Sequence, residues 1–253
     1  MFTEERLEQI LELLNKNGRV KVKELSELFN VSESMIRKDL QRLEAEQLLQ
    51  RTYGGAILKR KFLESSPIST RLKENSDNKE LIAEKAFDLI SDGDVVFLES
   101  SSINYYLAQL IANNTKKITL ITNMSIIPSL FNNNETVKII CIGGIYDNSS
   151  GGVLGSEVVK NISKYIFNKG FVGSGGVNLT TNSAHTVSLE DGNVKEVVIS
   201  NSKEAFLLVE KEKFDVDSTY RFAALEDFNG IITDSDISDR IRAKLQKLSV
   251  KLI

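Results

Sequence analysis

Ser34, Arg37, Lys38, Gln41 and Arg42 bring a hydroxyl, an amide and three cations into nine residues of chain. At about 100° per residue, Ser34, Lys38 and Gln41 share one helix face, with Arg37 and Arg42 on its flanks. Ile36, Leu40 and Leu43 form the opposite, apolar stripe. Ser32 stands where a helix N-cap is needed, with Met35 in the first turn behind it. Polar side chains on one face of a short helix, anchored by its other face, can hydrogen-bond base edges in a DNA major groove. A basic helix taken alone equally describes a solvated surface helix, so the reading depends on its surroundings.

A second set of residues lies downstream, where short loops follow apolar runs. These are Glu99-Ser100-Ser101-Ser102, Thr122-Asn123, Gly143-Gly144, Gly173-Ser174-Gly175-Gly176 and Glu210-Lys211-Glu212-Lys213. Gly and Ser loops at strand ends offer backbone N–H groups, and a nearby Lys adds charge, which together suit an anion or a sugar phosphate. Any one such loop can simply be a tight turn; several at successive strand ends point to a pocket. The candidate effector-binding residues are Glu99, Ser101, Ser102, Thr122, Asn123, Gly143, Gly144 and Lys213. Cys141, within Val137 to Ile142, reads as a buried strand residue, and no catalytic motif joins it to His185. No metal-ligand spacing or cofactor fingerprint is present.

The first sixty residues supply what a DNA-reading helix needs around it. Thr3 can cap a helix with Leu7, Ile10, Leu11 and Leu14 as its stripe, closed by Asn17-Gly18. Lys23 to Phe29 forms a second short helix with Leu25, Leu28 and Phe29 facing in. After Leu43, two β-favouring runs flank Gly54-Gly55 and predict a hairpin. Three helices and a hairpin make a winged helix-turn-helix, with Arg51, Tyr53 and Gly54 at the wing, against the DNA backbone or minor groove. The candidate DNA-binding residues are thus Ser32, Ser34, Met35, Arg37, Lys38, Gln41, Arg42, Arg51, Tyr53 and Gly54.

From Lys59 to Asp77, a stretch that includes Ser65-Ser66-Pro67, no apolar period is sustained. It reads as a linker with a short helical piece around Arg71. Its Lys59-Arg60-Lys61 triplet can touch DNA or serve solubility alone. Beyond it, helices and continuous apolar strands alternate, among them Val95–Leu98, Ile118–Ile121, Val137–Ile142, Gly170–Gly173, Phe206–Val209 and Gly230–Thr233. That pattern predicts a mostly parallel sheet covered on both faces. The expected domains are 1–58, a winged helix-turn-helix; 59–77, a linker; and 78–253, an α/β effector-binding and oligomerisation domain.

The 253 residues are 41% hydrophobic and hold one cysteine, which excludes an internal disulfide. With no long apolar span and no basic-then-apolar leader, a cytoplasmic protein without membrane contact is expected. Residues 1–61 carry 12 Lys and Arg against 10 Asp and Glu, and the remainder 20 against 25. DNA affinity follows placed cations more than overall charge, so the acidic total is compatible with an N-terminal DNA reader.

The N-terminal segment resembles the DNA-binding domain of the DeoR family of bacterial transcriptional regulators. The match is carried by Arg6, Ile10 and Leu14, by Ser32, Ile36-Arg37-Lys38-Asp39-Leu40 and Leu43-Glu44, and by Arg51 and Gly54-Gly55-Ala56. Met35 stands where that family usually has Thr, and Tyr53 where His is common. The downstream domain is similar to the DeoR effector domain, whose fold is that of ribose-5-phosphate isomerases. There the family's Asp-x-Gly-(Ser/Thr)-Thr phosphate loop becomes Glu99-Ser100-Ser101-Ser102-Ile103, and its Asp-x-Ser-Lys-Phe becomes Glu210-Lys211-Glu212-Lys213-Phe214. Glu190 and Lys195 keep the family spacing.

The resemblance implies a regulator, most often a repressor, that binds a double-stranded operator as a homodimer or homotetramer. It also implies a small-molecule effector, with a phosphosugar as the family's choice, and control of carbohydrate metabolism genes. Two other readings remain open: a scaffold whose α/β domain only dimerises, or a sugar-phosphate isomerase or CoA-transferase-like enzyme using Glu99 and Lys213. Lys213 is expected among Glu210, Glu212 and Glu99.

Overall fold

The computed structural model describes residues 2–64, 66–235 and 237–253. Ser65, part of the stretch read as a linker, lies outside the described residues. The chain divides into two compact units: the described residues up to Lys61 together with Ser238–Ala243, and Phe62–Ile237 together with Lys244–Ile253.

The first unit is a winged helix-turn-helix. Helix α1 (Thr3–Asn17) buries Leu7, Ile10 and Leu14, and Gly18 closes it in the left-handed region at φ 74°. Strand β1 (Arg19–Lys21) leads into α2 (Val22–Phe29), which ends on Asn30 at φ 51°. Helix α3 (Glu33–Ala45) starts at Ser32, whose hydroxyl accepts from the Met35 N–H at 3.2 Å. Strands β2 (Leu49–Thr52) and β3 (Gly55–Leu58) pair antiparallel from Leu49↔Leu58 to Thr52↔Gly55, leaving Tyr53-Gly54 as a two-residue turn. Gly55 is required because a Cβ there would lie 2.0 Å from the Val20 carbonyl oxygen of β1.

Ile36, Leu40 and Leu43 join Leu7, Ile10, Leu14, Leu25 and Leu49 in one core. Leu28, expected inside, is exposed; Val22 and Leu25 supply the buried face of α2 instead. Two charged residues enter this core. Arg6 on α1 grips Asp39 on α3 through two bonds, Nε to Oδ2 at 2.6 Å and Nη2 to Oδ1 at 3.1 Å, with both residues buried. The fork of the guanidinium matches the carboxylate and fixes the rotation of α3 about its axis.

The second unit is an α/β layer structure. It opens with β4 (Lys61–Phe62), α4 (Ile68–Arg71) and α5 (Ser76–Asp88). There follow β5 (Val95–Leu98), α6 (Ser102–Ala112), β6 (Thr119–Thr122) and β7 (Lys138–Cys141). A hairpin of β8 (Ile145–Asp147) and β9 (Gly152–Leu154) leads to α7 (Ser156–Ile162) and β10 (Phe167–Gly173). Next come β11 (Gly176–Asn178), β12 (Ser183–Thr186), α8 (Leu189–Ser200) and β13 (Ser202–Leu208). The last strands are β14 (Val216–Asp217), β15 (Tyr220–Ala223) and β16 (Gly230–Ile232), and the residues of α9 (Asp239–Lys247) are divided between the two units.

Six strands form a wholly parallel sheet in the order β16-β13-β10-β5-β6-β7. Its residues alternate between faces, so Val96, Leu98, Leu120, Phe171, Phe206 and Leu208 meet α5 and α6 in one core. Strand β12 sits between β11 and β15 in a small antiparallel sheet.

Two expectations change here. Cys141 lies at the end of β7, the edge of the sheet, and is exposed because among the described residues no further strand pairs beyond it. Residues 68–77 are folded, not a free linker: Ile68 enters the core of the second unit, Arg71 donates to the Ser149 carbonyl at 2.7 Å, and α5 begins at Ser76. The apolar period was hidden because this segment inserts only single side chains.

Removing one partner of a buried ion pair leaves an unanswered charge, which costs about 3–5 kcal/mol. Asp39→Ala should therefore destabilise the first unit by that order in chemical denaturation. Arg6→Met with Asp39→Leu should recover most of the loss, because the isolated charge is gone.

Candidate functional site

Helix α3 presents its outward face as the sequence spacing implies. Ser34, Met35, Arg37, Lys38, Gln41 and Arg42 are exposed, while Ile36, Asp39, Leu40 and Leu43 are buried. Ser32 spends its hydroxyl on the cap. Tyr53 is fully exposed at the wing turn, beside Gly54 at φ 87°. Most cations on this surface already have acids beside them. Arg37 Nη2 is 2.7 Å from Glu33, Arg42 is 3.1 Å from Glu4 and 3.4 Å from Glu46, and Arg51 Nε is 3.7 Å from Glu44. These pairs are exposed and screened by solvent, so they add little and can be exchanged for phosphate contacts. Among the described residues Lys38 has no ion-pair partner. Lys59, in the basic triplet, reaches Gln47 Oε1 at 3.3 Å.

In the second unit a cavity of about 500 Å³ lies beyond the carboxyl ends of β5, β10 and β13. Parallel sheets gather loops and helix N-termini at that end, which is why ligands bind there. Ser101 and Ser102 line it from the start of α6, Gly173 to Gly175 from the end of β10, and Lys213 from the turn after β13. Gly173 has to be glycine, since a Cβ would lie 2.6 Å from the Ser101 Cβ. Ser101 caps α6 by accepting from the Asn104 N–H at 3.3 Å.

Beneath this wall sits a buried ion network. Lys195 of α8, 4% exposed, places its Nζ 2.5 Å from Glu99 Oε1 and 3.3 Å from Asp191 Oδ2. Glu99, with no exposure, also accepts from the Gly173 N–H at 3.0 Å, and Thr186 donates to Asp191. Burial alone would depress the ammonium of Lys195, but Asp191 and Glu99 outweigh it, and Lys195 titrates above its usual value. For Glu99 burial is the larger effect and holds the carboxyl above its ordinary range despite Lys195.

Not every expected pocket residue reaches the cavity. Thr122 donates to the Leu98 carbonyl at 2.7 Å and ties β6 to β5. The Asn123 side chain accepts from the Ser100 N–H at 3.0 Å and donates to the Val153 carbonyl at 3.2 Å. Gly143 and Gly144 do not line the cavity either; Gly144 packs where a Cβ would be 2.4 Å from Val158. These residues brace the loops, because their polar atoms face backbone below the wall. Glu99 reaches the cavity only through Lys195. Lys213 pairs with Glu212 at 3.1 Å, and Glu99 is the partner of Lys195 instead.

Charged cavity residues not put forward from sequence include Arg71, Lys79 and Asp191, while Glu210 and Lys195 were named only for their loop and their family spacing. Asp191 and Lys195 were within reach of the four-residue helix spacing. Glu190, which keeps the family spacing to Lys195, is exposed. Arg71 comes from the stretch without an apolar period, and Lys79 from the start of α5 just beyond it. Lys79 is buried and donates to the carbonyls of Arg71, at 2.6 Å, and Glu74. Burial depresses both Arg71 and Lys79 below their usual values. His185 is buried outside the cavity, 2.8 Å from the Ser183 hydroxyl.

These two sites define a winged-helix DNA reader joined to a pocket-bearing α/β unit. Residues 6–62 match the DeoR-like helix-turn-helix domain, and residues 74–235 match the DeoR C terminal sensor domain. A lactose phosphotransferase system repressor of Lactococcus lactis subsp. lactis is 36% identical over 241 residues, covering 94% of this chain and 93% of its own. The HTH-type transcriptional repressor GlcR of Bacillus subtilis is 32% identical over 237 residues, covering 92% and 89%. The chain belongs to the DeoR family: it is a DNA-binding transcription regulator and not an enzyme. Among solved structures, ribose 5-phosphate isomerase A of Methanocaldococcus jannaschii is similar with a TM-score of 0.41 and 19% identity, over 56% of this chain and 55% of that one. Among the described residues no helix is long and apolar enough to cross a membrane, and no cluster of His, Cys, Asp and Glu is placed to hold a metal.

Glu210 gives a pH prediction. Burial raises its carboxyl above the ordinary range, against the pull of Lys79. A carboxyl raised in the folded state contributes stability that is full below its unfolded pKa and is lost as pH rises through the folded one. Glu210→Gln should therefore be more stable than the parent near neutrality, with the gap closing as pH falls towards about 4. Urea denaturation of both proteins across that range would show it; parallel stability curves would refute the assignment.

Proposed function

We propose that this chain represses genes for sugar uptake or breakdown by binding an operator through α3 and the β2–β3 wing. The supporting observation is the exposed donor-bearing face of α3, held in rotation by the buried Arg6–Asp39 pair. Ser34, Arg37, Lys38 and Gln41 would face the major groove, with Met35 and Arg42 at its edges. Arg51, Tyr53 and Gly54 would lie against the backbone or minor groove. Relatives of matching length are named as repressors of a lactose phosphotransferase system and as GlcR, which supports repression and a sugar-related target.

Helix-turn-helix proteins commonly read paired half-sites, so the working form is a homodimer or homotetramer acting in the cytoplasm. A small sugar-derived effector occupies the cavity beyond the sheet, and its volume is in the range that encloses such molecules. The effector controls operator binding only to the extent that it binds one conformation of the regulator better than another.

The DNA reading is tested on an operator selected from random-sequence DNA by the parent protein. Arg37→Ala should cost about 1–3 kcal/mol on that operator and relax preference at one base pair. Lys59→Ala should weaken binding to all sequences alike and reduce the slope of affinity against salt. Fluorescence anisotropy at several salt concentrations separates the two patterns. Full-strength, fully selective binding by Arg37→Ala would show that α3 does not read the operator.

A further inference from the structure

Helix α3 carries one exposed side chain that cannot serve DNA as its neighbours do. Met35 is 44% exposed and is the one large apolar group among the exposed positions of α3, the others being polar, charged or alanine. The core of the first unit does not claim it. Phe29 and Val31, just before α3, pack against that core, whereas Met35 is not among the side chains that do.

Its placement is fixed. The Met35 N–H is held by the Ser32 hydroxyl at 3.2 Å and by the Ser32 carbonyl at 3.0 Å, and the next residue, Ile36, has no exposure. The Arg6–Asp39 pair sets the rotation of the helix. Met35 therefore stands in the first turn of α3, at the edge of the face that bears Ser34 and Lys38. In helix-turn-helix proteins the N-terminal residues of this helix are the ones that meet base edges.

The chemistry of the contact follows from what the side chain lacks. A thioether has no N–H or O–H, so it cannot donate to phosphate or to the acceptors on a base edge. The apolar group that a base pair presents in the major groove is the 5-methyl of thymine. A methionine, unbranched and with three rotatable bonds, can settle against that methyl without displacing the backbone.

We propose that Met35 makes the operator specific for thymine at a base pair beneath the first turn of α3, through contact of its thioether with the 5-methyl group. The proposal rests on the operator reading above and names a base that reading leaves open.

The test uses the full-length protein and the operator it selects from random-sequence DNA. Each thymine is replaced in turn by deoxyuridine, which pairs identically and lacks only the methyl, and affinity is measured by fluorescence anisotropy for the parent, Met35→Ala and Met35→Gln. At one thymine of a half-site the replacement should weaken the parent about fourfold, the effect of one buried methyl. Both variants should bind the thymine and deoxyuridine forms of that site equally. Gln has nearly the length of Met, so its agreement with Ala assigns the effect to the apolar tip and not to lost bulk. At every other thymine the cost should be the same in all three proteins. A deoxyuridine cost that never depends on residue 35 would overturn the proposal. So would a selected operator without a preferred thymine. If Arg37→Ala still relaxes preference at its own base pair in either case, the operator reading stands without Met35. Failure of the parent to select any sequence would overturn both.

Discussion

The ion pair between Glu99 and Lys195 joins the end of β5 to helix α8 across the parallel sheet, and the cavity is built on top of it. Neither group could be buried alone, since an isolated charge in the interior costs far more than a fold of this size can spare. Together with Asp191, Thr186 and the Gly173 N–H they answer one another's charges and most of their hydrogen bonds. The consequence is positional. The β5–α6 loop, the β10 terminus and the first turns of α8 must meet at a fixed separation, and Ser101, Gly173 and Asp191 are placed on the wall as a result. Asn104 reinforces the arrangement from behind by donating to the carbonyls of Glu99 and Phe171, both at 2.8 Å.

The first unit uses the same device with a different geometry. Arg6 and Asp39 are the charged pair in a core otherwise made of Leu, Ile, Val and Ala. A hydrophobic pair would hold α1 against α3 equally well, but it would tolerate rotation. A two-bond guanidinium–carboxylate contact does not, and rotation of α3 by one residue would bring the buried Asp39 to where Lys38 stands on the outer face. The contribution of the pair is thus to orientation more than to net stability.

The periodic elements were legible in the sequence, and the reason is the burial pattern. Helix α3 and the strands β5, β6 and β10 each carry a strong stripe or a continuous apolar run, which tertiary packing had no reason to override. The β2–β3 hairpin was readable because its turn demands Gly54 and its neighbour β1 demands Gly55. The cavity was only half legible. Loops at the strand ends located it, but Thr122, Asn123, Gly143 and Gly144 turn their polar atoms or their backbone away from it. Arg71 enters from a segment without period, and a single inserted side chain leaves no pattern to count. Cys141 shows the remaining limit: strand order decides which apolar strand is an edge, and order is a long-range property.

Both units present cations already matched by acids, yet the two surfaces can respond differently to a ligand. On α3 and the wing, the Glu partners of Arg37, Arg42 and Arg51 are all at least 41% exposed, so water can take over their charge when DNA arrives. Exchange of partners there costs little, and an N-terminal excess of two positive charges suffices because placement governs phosphate contact. In the cavity, Lys195 and Glu99 have no water to fall back on, so a ligand that drew Lys195 away would leave Glu99 bare.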